Sequence, residues 1–278
     1  MALTRRGRLT ITIAVSVLVL AALAVLLLAR TPLGAALGLG TSPPCTLHTA
    51  TGETQWSAVE AMTATTVAGV GRRIGATENG VAAAVRRSLA VDREAALTPA
   101  AARELYRRLP DVAKPADDAL VVARALRGDR GPALTCVVPL NDPDLATEKL
   151  AQLGLTPRAD TMRLAMRAVY GKQNLGGFAP GGVTTGHIEG SAHYEGRAID
   201  VFFRPITEQS TRDGWQQAMW AVAHAESLHL ATVIFDRRIW TASRSVEGWR
   251  DYHYPGGDTD NPVLLHEDHV HVDVMRGG

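Results

Sequence analysis

The sequence predicts an α+β fold, in which helices sit apart from an antiparallel sheet, and three observations predict it. Helix-length stretches with apolar residues three and four apart fill the Ala-rich first half and recur from Pro157 to Tyr170. A glycine-rich passage from Gly176 to Gly190 then changes the texture. Beyond it come short strand-like stretches, the last of which alternates polar and apolar residues from His269 to Val274.

The first element is Thr10 to Ala29, a run of twenty residues with no charge. As a helix it is long enough to cross a hydrocarbon layer of ~30 Å. Arg5, Arg6 and Arg8 precede it and only Arg30 follows closely. That bias makes residues 1–9 a cytoplasmic stub, 10–29 a single-pass anchor in the cell membrane and everything later extracytoplasmic. A cleaved signal peptide is the rival reading, but the run exceeds the usual apolar region of about 7–15 residues and no small-x-small site follows it directly. Residues 30–44, which include TPLGAALGLGTSPP, have the composition of a linker.

A small helical unit is expected over residues 45–140, with helices at Ser57–Val70, Gly80–Leu89 and Thr98–Arg108. Cys45 and Cys136 both fall on the exported side, where a disulfide between them can persist; two unpaired buried thiols are the alternative. The stretch Met62 to Val85 resembles a lysozyme-like helical segment found ahead of wall-active domains. The second helix, however, continues Arg86, Arg87, Ser88, Leu89 with only Asp92 and Glu94 nearby, and offers no carboxylate pair for glycoside cleavage. A helical spacer closed by the disulfide is the reading adopted.

The second unit, residues 141–278, should carry helices at Asp142–Leu153, Pro157–Tyr170 and Asp213–Leu228, and strands at Ala231–Phe235 and Asp268–Met275. A formal charge of +1, from 29 basic and 28 acidic residues, supplies no field for nucleic acid, so that class of partner is set aside. Of nine histidines, all but His48 lie between His187 and His271, which marks where chemistry should be sought.

Two patterns carry that chemistry. In Ser191-Ala-His193-Tyr-Glu-Gly196-Arg-Ala198-Ile-Asp200 a loop delivers a histidine and a strand delivers a carboxylate on the face opposite Ile199, Val201 and Phe203. In His266-Glu-Asp268-His269-Val-His271 the two later histidines share one strand face, about 6–7 Å apart at the backbone. Together the two patterns supply two imidazoles and a carboxylate for Zn²⁺, a three-ligand set that leaves a position for water. His269 leads as the group that takes the water's proton, with His266 next and Asp268 third, and Asp268 points to the other face if the strand is already regular there. Ser191 is read as a hydrogen-bond partner of the site, since no Gly-x-Ser-x-Gly context surrounds it.

These motifs resemble known families. The S-x-H-x-x-G-x-A-x-D pattern is similar to that of zinc D-alanyl-D-alanine carboxypeptidases. The H-x-x-H-x-H run resembles penicillin-insensitive murein endopeptidases, and its H-x-H part is similar to lysostaphin-type enzymes. The resemblance covers roughly residues 176–274 and implies a metallopeptidase acting on peptidoglycan peptides, with His193, Asp200 and His271 as ligands and His269 beside the metal. Two departures stand out. Gly176-Gly177-Phe178-Ala179 lacks the arginine that contacts substrate in the carboxypeptidases, and Asp268 stands where they have glutamate. They support the alternative of a non-catalytic wall-binding or scaffold module that keeps a structural zinc. His48, His224 and His229 are assigned structural roles, His253 a structural or substrate-facing one, Trp215 and Trp220 to the core, and Asp236 with Arg237, Arg238 and Trp240 to a salt-bridged loop at the cleft edge.

Overall fold

The computed structural model of the protein describes residues 20–25, 28, 44–109, 115–139 and 144–278. The expected anchor and linker lie largely outside them; residues 20–25 are helical, with Leu20, Leu23 and Val25 exposed. Among the described residues, no helix is long and apolar enough to cross a membrane.

The described residues fold as mixed α+β with two antiparallel sheets. Strands β1 (Cys45–Thr49), β2 (Gly52–Trp56) and β3 (Leu134–Cys136) form a three-stranded sheet of order β2-β1-β3. Cys45 and Cys136 are paired residues on β1 and β3, and the disulfide between them is present. The hairpin gives the first unit a sheet that its Ala-rich composition did not suggest.

Helices α1 (Ala58–Arg73), α2 (Glu78–Leu89), α3 (Pro99–Arg108) and α4 (Asp117–Leu126) make up the helical part. Ser57 and Glu60 form a reciprocal capping box that starts α1, and Thr77 and Thr98 cap α2 and α3 through their hydroxyls. The Ala-rich texture has a packing cause. A Cβ at Gly69 of α1 would lie 2.6 Å from Val169 and 2.9 Å from Tyr170, so α1 approaches helix α5 (Pro157–Tyr170) closely. One continuous core joins Ala61, Ala64 and Val67 of α1 with Met162 and Met166 of α5 and with Met219 and Trp220 of helix α6 (Glu208–Ala223).

The second sheet has six strands in the order β4-β5-β9-β6-β7-β8: β4 (Leu175–Gly176), β5 (Ala198–Phe202), β6 (Leu230–Phe235), β7 (Arg238–Thr241), β8 (Arg250–Asp251) and β9 (His269–Val274). On β9, Val270, Val272 and Val274 are fully buried in the core, each stabilising by about 1.5–3 kcal/mol. The opposite face of the same strand carries His269, His271 and Asp273 into a cleft. Register places Asp200 of β5 opposite His271, and Phe202 opposite His269. The sheet therefore splits a greasy support from a polar site, residue by residue.

Two expected helices differ. No helix forms over the described part of Asp142–Leu153, residues 144–153, because tertiary partners take the groups a helix would use. The Leu145 carbonyl accepts from the Gly278 amide, the Ala146 carbonyl from the Arg158 side chain, and Glu148 accepts from the Arg158 amide. The helix expected at Asp213–Leu228 starts earlier, at Glu208, where Thr207 and Ser210 cap one another. It ends at Ala223, and His229, at φ 51°, turns the chain into β6. Asp236 and Arg237, both at positive φ, form the two-residue turn between β6 and β7. Asp236 accepts from the Trp215 indole, and Arg237 and Arg238 pair with Glu267 and Asp251.

Candidate metal centre

The turn that carries His193 is a single 3₁₀ turn, Ala192–Glu195. Ser191 caps it by accepting from the His193 amide, and Gly196 ends it at φ 64°. Gly196 has no room for a side chain, since a Cβ there would lie 2.6 Å from the Gly154 carbonyl oxygen. This explains why the loop that delivers the histidine is closed by glycine.

His193 Nε2, Asp200 Oδ1 and His271 Nδ1 converge. The two nitrogens are 3.0 Å apart and each lies 3.2 Å from the carboxylate oxygen. The outer nitrogen of each ring is committed elsewhere. His193 Nδ1 meets the Gly177 carbonyl at 2.8 Å, and His271 Nε2 meets Asp273 Oδ2 at 3.2 Å. Both partners can only accept, so both outer nitrogens donate. Each inner nitrogen is then left with a lone pair aimed at the other and at Asp200. Three acceptors facing one another repel unless a cation lies among them.

The spacing suits such a cation. Zinc bonds of ~2.0–2.1 Å at tetrahedral angles separate donor atoms by about 3.3 Å. Imidazoles whose second nitrogen is held by a carbonyl or a carboxylate are the arrangement that fixes tautomer and ring orientation at metal sites. His187, His193 and Asp200 also form a group that could hold a metal ion, with ligand atoms all within 4.8 Å of one another. A buried His, His and Asp set able to bind a metal is therefore present.

The electrostatics agree with the geometry. Burial opposes ionisation of Asp200, but the His193 and His271 rings, once a facing nitrogen carries a proton, outweigh it and hold the carboxyl far below its usual range. Burial likewise disfavours charge on His271, yet Asp200 and Asp273 overcome it and raise its pKa to about 9. A proton on His271 is the simplest cation that can relieve the facing lone pairs. His266 goes the other way: burial and then the neighbouring His271 and His269 push it down to about 2.

The remaining site residues gather around this triangle. His269 Nδ1 lies 2.7 Å from Asp268 Oδ1, and its Nε2 faces Asp200 Oδ1 at 3.7 Å. Asp268 precedes β9, where strand alternation has not begun, and it sits with His269. Its second oxygen accepts from Arg204, whose guanidinium lies 4.3 Å from the centre of the Phe202 ring. His266 packs on His269 with ring centres 4.7 Å apart and edge-on to Tyr252 at 4.8 Å. It holds φ 57°, uncommon for a residue with a side chain, and its buried Nδ1 has no hydrogen-bond partner among the described residues.

The cleft above these groups has a volume of ≈ 720 Å³, and Ile188, Tyr252, Tyr254 and Val263 give it apolar walls. His253 is not among its lining residues. His224 is remote from it, stacked on Trp220 with its Nδ1 on the Trp220 carbonyl. Sequence reasoning missed Asp273, although it stands two residues beyond His271 on the same strand face. It also missed Arg204, whose partner Asp268 is 64 residues further along the chain, His187, whose ring stacks on His193, and Gly177, whose carbonyl orients His193.

The family model described as VldE, C-terminal domain, matches residues 151–263, less than half of the chain. The matched stretch contains His187, His193 and Asp200 and ends before His266, Asp268, His269 and His271. No curated protein and no solved structure matches the chain. No peptidase family is shown by these comparisons.

Proposed function

We propose that the protein is a zinc-dependent peptidase acting on peptidoglycan peptides outside the membrane, to which residues 10–29 would anchor it. The observation that carries the reading is the convergence of His193 Nε2, Asp200 Oδ1 and His271 Nδ1 at 3.0–3.2 Å in the floor of an open cleft, with an oriented histidine beside them. The substrate class comes from the family resemblance of the two motifs.

In this reading His193, Asp200 and His271 hold the metal. When bound, zinc polarises an amide carbonyl and lowers the pKa of a water molecule towards ~7. The chain supplies the rest. Asp268 accepts from His269 Nδ1 and so leaves Nε2 as the atom that receives the water's proton. Arg204 holds the second oxygen of Asp268 and keeps that carboxylate aligned with the ring. Having gained a proton, His269 can return it to the departing amine. His266, kept neutral, is placed to donate to the oxygen on which charge develops. The apolar walls hold the peptide and reduce the water around the reacting bond.

Incubation of the purified full chain with muropeptides, with and without a chelator, tests this by the masses of the products. Cleavage that the chelator stops and added zinc restores is the expected result. A protein that holds zinc yet leaves every muropeptide intact would be the metal-stabilised wall-binding module instead.

A further inference from the structure

His187 is a metal-capable side chain that the reaction outlined above does not use. Its ring stacks on His193, with centres 3.9 Å apart and planes 17° apart. Its ligand nitrogen lies within 4.8 Å of the ligand nitrogen of His193 and a carboxylate oxygen of Asp200. Among the described residues its ring nitrogens have no hydrogen-bond partner, whereas the Tyr194 hydroxyl engages both its backbone amide and its carbonyl. The ring is therefore held at the mouth of the centre by its backbone and left with an uncommitted lone pair. On either side Gly186, at φ 91°, and Gly190, at φ 76°, face open space.

With near-parallel planes, the lone pair of His187 runs alongside that of His193 and does not yet meet it. Donor atoms around zinc stand about 3.3 Å apart, so the nitrogen has to close by no more than about 1.5 Å on the His193 and Asp200 ligand atoms. A rotation of the side chain covers that distance while the Tyr194 clamp stays in place.

We propose that His187 is a fourth, exchangeable metal ligand that closes the centre until a peptide enters the cleft. The inference rests on the reading of His193, Asp200 and His271 as metal ligands and adds a resting state to it. A centre with four protein ligands is the closed type, whereas catalysis needs an open position. Binding of a peptide between Ile188 and the tyrosine wall would draw His187 back and free that position for water.

Two variants of the full chain separate coordination from packing. His187→Phe keeps an aromatic ring on His193 but no nitrogen, and His187→Ala removes both. Zinc affinity is measured by competition with a chromophoric chelator, and the visible bands of the cobalt-loaded protein report the ligand set. Both variants are expected to bind zinc at least about tenfold more weakly than the parent and to shift the cobalt bands. If affinity and cobalt spectrum are unchanged in His187→Phe, the fourth-ligand proposal fails while the three-ligand centre stands. If the parent chain binds neither zinc nor cobalt, both fail together.

Discussion

Adding one methyl group at Gly177 should disable the candidate metal centre without replacing any of its proposed ligands. Gly177 has φ 79°, and a Cβ there would lie 2.2 Å from His193 Cε1, 2.3 Å from His193 Nδ1 and 3.0 Å from Asp200 Oδ2. Carbon atoms in contact sit about 3.5 Å apart, so the imidazole has to retreat by about 1.3 Å. That movement also breaks the 2.8 Å hydrogen bond from His193 Nδ1 to the Gly177 carbonyl. Metal–ligand distances hold within about 0.2 Å, and loss of an orienting partner alone lowers affinity about 10–100-fold. Gly177→Ala is therefore expected to weaken zinc binding by about 100-fold, with a further cost in stability of about 1–2 kcal/mol from the left-handed backbone. Gly181→Ala is the control, since Gly181 has φ 85° but nothing within 4 Å of its Cβ position. It should show the backbone cost and keep its zinc. Chelator competition and circular dichroism read both quantities. A folded Gly177→Ala protein with parental zinc affinity would refute the second-nitrogen account of the site.

Three other outcomes follow from the same geometry. His269→Ala should keep its zinc and lose about 10²–10⁴ in turnover of a muropeptide, and parental turnover would move the proton to His266 or Asp268. Mass analysis of the unreduced protein should find no free thiol, and Cys45→Ser with Cys136→Ser should cost about 2–5 kcal/mol in chemical unfolding, because the bridge closes a 91-residue separation. His224 is pushed down to about 4 by burial, which the Trp220 carbonyl only partly offsets. The unfolded chain then takes up a proton near pH ~6.5 that the folded chain refuses until about pH 4, so stability falls as pH drops through that window. The loss should reach up to about 2 kcal/mol at pH 5, and His224→Gln should remove this part of the slope; an unchanged slope would exclude His224 as its source.

Much of the sheet and of the site was legible because strand alternation is a strict rule. Val270, Val272 and Val274 against His269 and His271 declare two faces from sequence alone, and the same rule puts Asp200 opposite Ile199 and Val201. Helices that begin on Thr-Pro, at Thr98 and Thr156, announced themselves through their caps. The hairpin Cys45–Trp56 did not, since its five-residue strands carry polar residues on the exposed edge of a small sheet. Residues 144–153 read as helix because periodicity cannot see Arg158 and Gly278 arriving to take the carbonyls. Arg204, His187 and Gly177 were hidden for a related reason. Their importance lies in one contact each, with Asp268, His193 and His193 respectively, and none of those contacts has a local signature.

Metal content of the full chain, measured after removal of loosely bound ions, tests the central claim most directly. The account predicts one zinc per chain in the parent and in His269→Ala, and almost none in His193→Ala or His271→Ala while each protein stays folded. Full occupancy in folded His193→Ala, or a parent chain that retains no metal when zinc is supplied, would contradict it.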